Sequence, residues 1–290
     1  MRLVTFREGA DERLGFLLDD RILDPKRTAD HAGEPAYASA LAFIRAGEPA
    51  LQAAKRLIDE APAGALVPLS KVTLTAPMRP STLLCSGSNY RDHNKEKANT
   101  AISGKEPEFF VKTADSVVGP GEPIIYDPAL TRKLDCETEL AIVIGKPGRH
   151  IPAASALDHV FGYTIVNDVT ARDLQKKHQQ WFKGKSLDTF CPMGPVLVTA
   201  DEMPDPQALA ISLRVNGQLR QSSHTSKMIF PVAQCIDVLS QGMMLLPGDI
   251  IATGTPEGVG AASGNFLKAG DRIEAEVEGI GILHSKVVRP

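Results

Sequence analysis

The residues with the clearest chemical potential are Glu137 and Glu139, in the run Leu134-Asp135-Cys136-Glu137-Thr138-Glu139-Leu140-Ala141-Ile142-Val143-Ile144-Gly145. Side chains alternate along a strand, so both carboxylates project from one face. The continuation is apolar on both faces, which predicts burial on both sides. Two buried carboxylates on one face repel each other and lose hydration, a cost of several kcal/mol unless positive charge compensates. A hard divalent cation, which takes oxygen ligands, is one answer. The chain carries its own control. Glu274, Glu276 and Glu278 alternate with Ile273, Ala275 and Val277 and read as the solvated face of a half-buried strand, the ordinary meaning of such spacing.

Asp168 falls where a strand ending at Asn167 gives way to a helix. Thr170 and Asp173 read as a capping box for that helix, which leaves Asp168 free either to form the turn or to supply a third oxygen ligand. Activity undiminished in EDTA, or a lysine ion-paired in the cation's place, would count against a metal there. His93 and Glu96 follow the small-residue turn Ser86-Gly87-Ser88. Their i, i+3 spacing puts them on one helical face, where the carboxylate can orient the imidazole; a solvated helix start is the plainer alternative. The polar stretch 94–106 suits a lid. Lys185, beside Trp181 and Phe182, reads as an exposed loop lysine or as a cation for a substrate carboxylate. The turn Thr253-Gly254-Thr255 has backbone N–H groups that can hold an anion.

The elements that must position these groups fall into two parts. Strands are predicted over 2–6, 13–18 and 21–24, and a helix over 37–61, in a small N-terminal α/β unit spanning 1–74. From 75 to 290, β-type runs recur at 82–85, 108–112, 139–144, 160–166, 195–198, 211–215, 250–253, 272–277 and 282–288. Helices are predicted only at 171–182 and 232–243. That balance is a β-rich α+β domain rather than an alternating parallel-sheet fold. With 35 acidic against 32 basic residues, no excess of cations exists to neutralise a nucleic acid. No apolar run is long enough to span a membrane, and the N-terminus meets acids before a signal core could form, so a cytoplasmic protein is expected. Cys85, Cys136, Cys191 and Cys235 are scattered singly and read as buried thiols.

Taken together, NYRDHNKE, PEFFVKT, KLDCETELAIVIGK, DHVFGYTIVNDVTARDLQ, KGKSLDTFCPMGP and LLPGDIIATGTPEGVG, in that order, resemble the fumarylacetoacetate hydrolase family from about Pro80 to Val287. The resemblance implies a mixed β-roll catalytic domain and a homodimer. It implies Mg²⁺ or Mn²⁺ on Glu137, Glu139 and Asp168, and a His93–Glu96 general-base dyad assisted by Lys185. Substrate contacts would come from Gln175, Thr253, Gly254 and Thr255. A metal-shell Asp of the eukaryotic members is replaced by Ser86, which places the chain with the shorter bacterial and mitochondrial type. The implied reaction is cleavage of a C–C bond in a 2-oxo (1,3-dicarbonyl) acid, by acylpyruvate hydrolysis or oxaloacetate decarboxylation. The alternatives are an isomerase or tautomerase working through the same enolate, and a metal-binding scaffold without catalysis.

Overall fold

The computed structural model describes residues 1–290 apart from 29, 32 and 97–105. The lid expected over 94–106 therefore falls mostly outside the described residues. The largest element is a twelve-stranded, mainly antiparallel sheet. Its central order is Arg2–Glu8, Cys191–Thr199, Val160–Asn167, Thr138–Ile144, Ile250–Ala252, Leu83–Gly87 and Glu108–Lys112. The hairpin partners Asp11–Leu18, Arg21–Leu23 and Leu66–Pro68 extend it beyond Arg2–Glu8, so the N-terminal strands continue the same sheet. A second sheet has the order Gln218–His224, Ala210–Val215, Arg272–Val277, Gly281–Val288 and Pro123–Ile125.

Thr138–Ile144 is buried along its whole length because both faces of the large sheet are covered. Leu140, Ile142 and Ile144 pack with Ile211, Ala275, Val277 and Leu283 of the second sheet and with Val232 and Ile236 of the helix Val232–Ser240. Ala141 and Val143 join the opposite core, with Phe43, Ile44, Ala54 and Leu57 of the helix Ala40–Glu60. That helix is capped by Ser39 and kinks at Gly47, whose φ of 66° is open to glycine, two residues before Pro49 removes a backbone donor.

Two expectations are corrected. The helix predicted over 171–182 stops after Arg172–Lys177, turns extended at His178, and resumes only as Phe182–Lys185. The run Lys176-Lys177-His178-Gln179-Gln180 offers no apolar face to bury, so nothing sustains a longer helix. The capping box does not form. Ala171 is the N-cap residue, the Thr170 hydroxyl donates to the Asp168 carbonyl (3.0 Å), and Asp173 accepts from Thr131 Oγ1 and Arg132 N. The strand Gln218–His224, absent from the expectation, pairs with Ala210–Val215 through a turn at Asn216-Gly217, both with positive φ. Among the described residues, no helix is long and apolar enough to cross a membrane.

Candidate active site

Strand register builds the acid cluster. Thr138 pairs with Asn167 and Glu139 with Val166, so Glu137 lies opposite Asp168, whose N–H donates to the Glu137 carbonyl (2.8 Å). Glu137, Glu139 and Asp168 each bring a carboxylate oxygen within 4.8 Å of the others, and all three are buried. Glu137 precedes the strand Thr138–Ile144, yet the alternation holds through it.

Cations surround two of the three acids. Lys185 Nζ donates to Glu137 Oε2 and Asp168 Oδ2, each at 2.5 Å. Arg172 donates to Glu137 Oε1 (2.6 Å) and Asp135 Oδ2 (2.8 Å). Lys112 donates to Asp168 Oδ1 (2.7 Å) and to the Lys185 carbonyl. Burial alone would raise the Glu137 pKa, but Arg172 and Lys185 outweigh it and hold the carboxyl well below its usual range. Burial likewise disfavours the charged Lys185, and Asp168 and Glu137 more than reverse this, so its ammonium form is stabilised.

Glu139 is different. Its carboxylate accepts from Gly254 N (2.8 Å) and has no ion pair among the described residues. Burial, then the charges of Asp168 and Glu137, push its pKa well above the ordinary value. Three carboxylate oxygens on one side, with one acid left short of positive charge, fit a hard divalent cation. Lys185 does pair with two of the three acids, the arrangement that counts against a resident metal. Its charge offsets only part of the burial and repulsion at Glu139, however, so positive charge is still short on that side of the cluster.

His93 and Glu96 meet on one face of a short helix. On the helix Arg91–Glu96, His93 Nδ1 lies 2.9 Å from Glu96 Oε2, and Glu96 Oε1 accepts from Gly258 N (2.8 Å). Asn89 anchors the preceding turn, donating to the carbonyls of Phe230 (3.0 Å) and Thr253 (2.8 Å). His93, Glu96, the acid triad, Lys185 and Gln175 all line one cavity of about 510 Å³, with Phe110 and Trp181 on its wall.

The turn after Ile250–Ala252 faces inward. Gly254 N serves Glu139, Thr253 Oγ1 donates to the Leu140 carbonyl and Thr255 Oγ1 to the Thr138 carbonyl. The anion held by this turn is thus the protein's own carboxylate. Of the three residues, Thr255 lines the cavity. Gln175 reaches the cavity too, its Oε1 accepting from Arg172. Sequence reasoning missed Arg172, Lys112 and Gln221. Gln221 accepts from Thr138 N and donates to Thr255 Oγ1, stapling the acid strand to the turn. A lone buried cation has no local signature. The Asn216-Gly217 dipeptide, by contrast, was a readable hairpin signal that would have placed Gln221 on a strand.

The model of the fumarylacetoacetate (FAA) hydrolase C-terminal domain matches residues 82–288. "Oxaloacetate tautomerase YisK" of Bacillus subtilis (strain 168) is 50% identical over 223 residues, 76% of this chain and 74% of its own. Among solved structures, the fumarylacetoacetate hydrolase of psychrophilic Exiguobacterium antarcticum has a TM-score of 0.86 at 41% identity, each chain covered in full. The maleylpyruvate hydrolase of Sphingobium sp. SYK-6, in complex with manganese (II) ion and pyruvate, has a TM-score of 0.79 at 33% identity. The match covers 100% of this chain and 99% of that one.

Proposed function

Because the chain belongs to the fumarylacetoacetate hydrolase family, we propose that it interconverts the keto and enol forms of a short 2-oxo acid, with oxaloacetate as the leading substrate. This moves tautomerisation ahead of C–C cleavage, which ranked first on sequence alone. One observation carries it. A buried imidazole, held by a carboxylate, opens on the same cavity as an acid triad and a buried ammonium. That is a base facing an electrophilic pocket, the arrangement for removing a proton next to a carbonyl.

Glu137, Glu139 and Asp168 would hold Mg²⁺ or Mn²⁺, whose charge would polarise a bound 2-oxo carboxylate. The remaining work belongs to the chain. With Nδ1 bonded to Glu96, the Nε2 lone pair of His93 is the free base. In the keto-to-enol direction it takes a proton from the carbon next to the 2-oxo group while the oxygen of that group takes one from solvent; in the enol-to-keto direction the imidazolium gives a proton to that carbon and the enol O–H loses its proton to solvent. Lys185, kept as an ammonium by its acidic neighbours, donates toward negative charge growing on that oxygen. One base that both accepts and returns a proton suffices for tautomerisation. Hydrolysis requires in addition a positioned water and a leaving carbanion. The oxaloacetate tautomerase among the relatives supports the first, and the maleylpyruvate hydrolase among the structures supports hydrolysis as the second reading.

The test is NMR of oxaloacetate in D₂O with Mg²⁺, with Mn²⁺ and with EDTA, alongside an acylpyruvate. Enol–keto conversion that far outpaces pyruvate release supports the tautomerase. Pyruvate forming as fast as the enol is consumed supports cleavage and overturns the ranking.

A further inference from the structure

We propose that Lys176 is the receptor for the distal carboxylate of the substrate, which makes this site selective for dicarboxylic over monocarboxylic 2-oxo acids; the inference rests on the functional reading above and extends it to substrate class. Arg172, Gln175 and Lys176 lie at i, i+3 and i+4 on the helix Arg172–Lys177, and all three line the cavity. Arg172 stands at the inner end, on Glu137. Lys176, four residues later and exposed where Arg172 is half-buried, stands about 6 Å further along the axis, a distance on the scale of the separation between the ends of a four-carbon diacid.

Charge assigns the two ends. Lys185 and Arg172 are committed to Glu137, Asp168 and Asp135. Lys176 lines the same cavity, and its ammonium has no hydrogen bond or ion pair among the described residues. It also stands at the junction with an outer hollow of about 500 Å³ lined by Lys133, Lys177 and Phe266. Asp173, on the same hollow, is occupied by Thr131 and Arg132 N. The mouth is thus positive where the floor is acidic. An anion entering from solvent meets free positive charge at Lys176 before it reaches the inner acids. The Phe110 and Trp181 rings, whose centroids lie 5.4 Å apart, form the apolar wall that a carbon chain between two carboxylates would contact.

The experiment compares wild type, Lys176→Met and Lys176→Arg with oxaloacetate as substrate and oxalate, which has no distal carboxylate, as competitor. Lys176 is exposed and packs into no core, so these variants fold. Lys176→Met is expected to raise KM for oxaloacetate about two- to fivefold, the range of a partly screened ion pair. The change in kcat should be much smaller and the oxalate inhibition constant should stay within twofold, with Lys176→Arg recovering most of the KM. An unchanged KM, or KM and the oxalate constant rising together, overturns the proposal. Should the wild type fail to act on oxaloacetate, the functional reading fails by itself. Calorimetric binding of malate against lactate then decides the role of Lys176: loss of malate affinity alone supports it, and equal effects on both overturn it.

Discussion

Glu137 and Glu139, two residues apart on one strand face, should respond oppositely to the same amide substitution in metal-free protein. Glu137 is bonded by Arg172 and Lys185, so Glu137→Gln strips a partner from two buried cations. Breaking buried pairs of this kind costs about 3–5 kcal/mol. Glu139 has only Gly254 N–H, which an amide oxygen can also receive. Its neighbouring carboxylate oxygens lie within 4.8 Å, where like unit charges at an effective dielectric near 20 repel by about 3–4 kcal/mol each. Lys185 and the Gly254 N–H offset part of that, so Glu139→Gln should stabilise the metal-free protein by about 1–3 kcal/mol at pH 8, or about 2–6 °C in Tm. The sign with pH follows from the raised Glu139 pKa. The folded protein binds this proton more tightly than the unfolded chain, so stability is full below the unfolded carboxyl value and falls as pH rises through the folded one. The advantage of Glu139→Gln should therefore vanish below the unfolded value and grow above it. Thermal melts from pH 4 to 8, in EDTA and with Mn²⁺, are the assay. Mn²⁺ should raise the wild-type Tm at pH 8 and have little effect on either variant. If Glu139→Gln destabilises the metal-free protein as much as Glu137→Gln, Glu139 is compensated by something else and the case for a missing cation fails.

His93→Ala should lower kcat for the enol–keto conversion about 10²- to 10⁴-fold and Glu96→Gln by less, since the imidazole remains; equal losses in stopped-flow measurements would mean that the pair acts only as a unit. Gly254→Ala should destabilise the protein by about 1–3 kcal/mol in denaturant melts, because φ is +92° and a Cβ would come within 2.8 Å of Asn89 Cβ; an unchanged midpoint would contradict the close approach. The four cysteines are buried, with Cys191 and Cys235 pushed up to about 12 by burial and Cys85 and Cys136 raised well above their ordinary value for the same leading reason. The native protein should therefore react slowly with a thiol reagent and the denatured one in full, and rapid stoichiometric labelling of native protein would refute this.

The strand Thr138–Ile144 was legible because burial on both faces leaves an unbroken apolar run, and period-two alternation then puts Glu137 and Glu139 side by side without any knowledge of the fold. The solvated Glu274 and Glu276 were legible for the same local reason. His93 and Glu96, three residues apart, also meet through local helix geometry. The helix over 171–182 failed because helical composition without an apolar stripe gives a segment nothing to pack against, and it ends at Lys177. Most of the charge balance of the site was not local at all. Lys112 reaches Asp168 across 56 residues and Arg172 reaches Glu137 across 35, while Lys185 sits between two acids that only the Thr138–Asn167 register brings together. Periodicity is a property of neighbouring residues and can be read along the chain. Which cation compensates which buried acid depends on strand register and on the layers packed over it, and those exist only once the chain has folded.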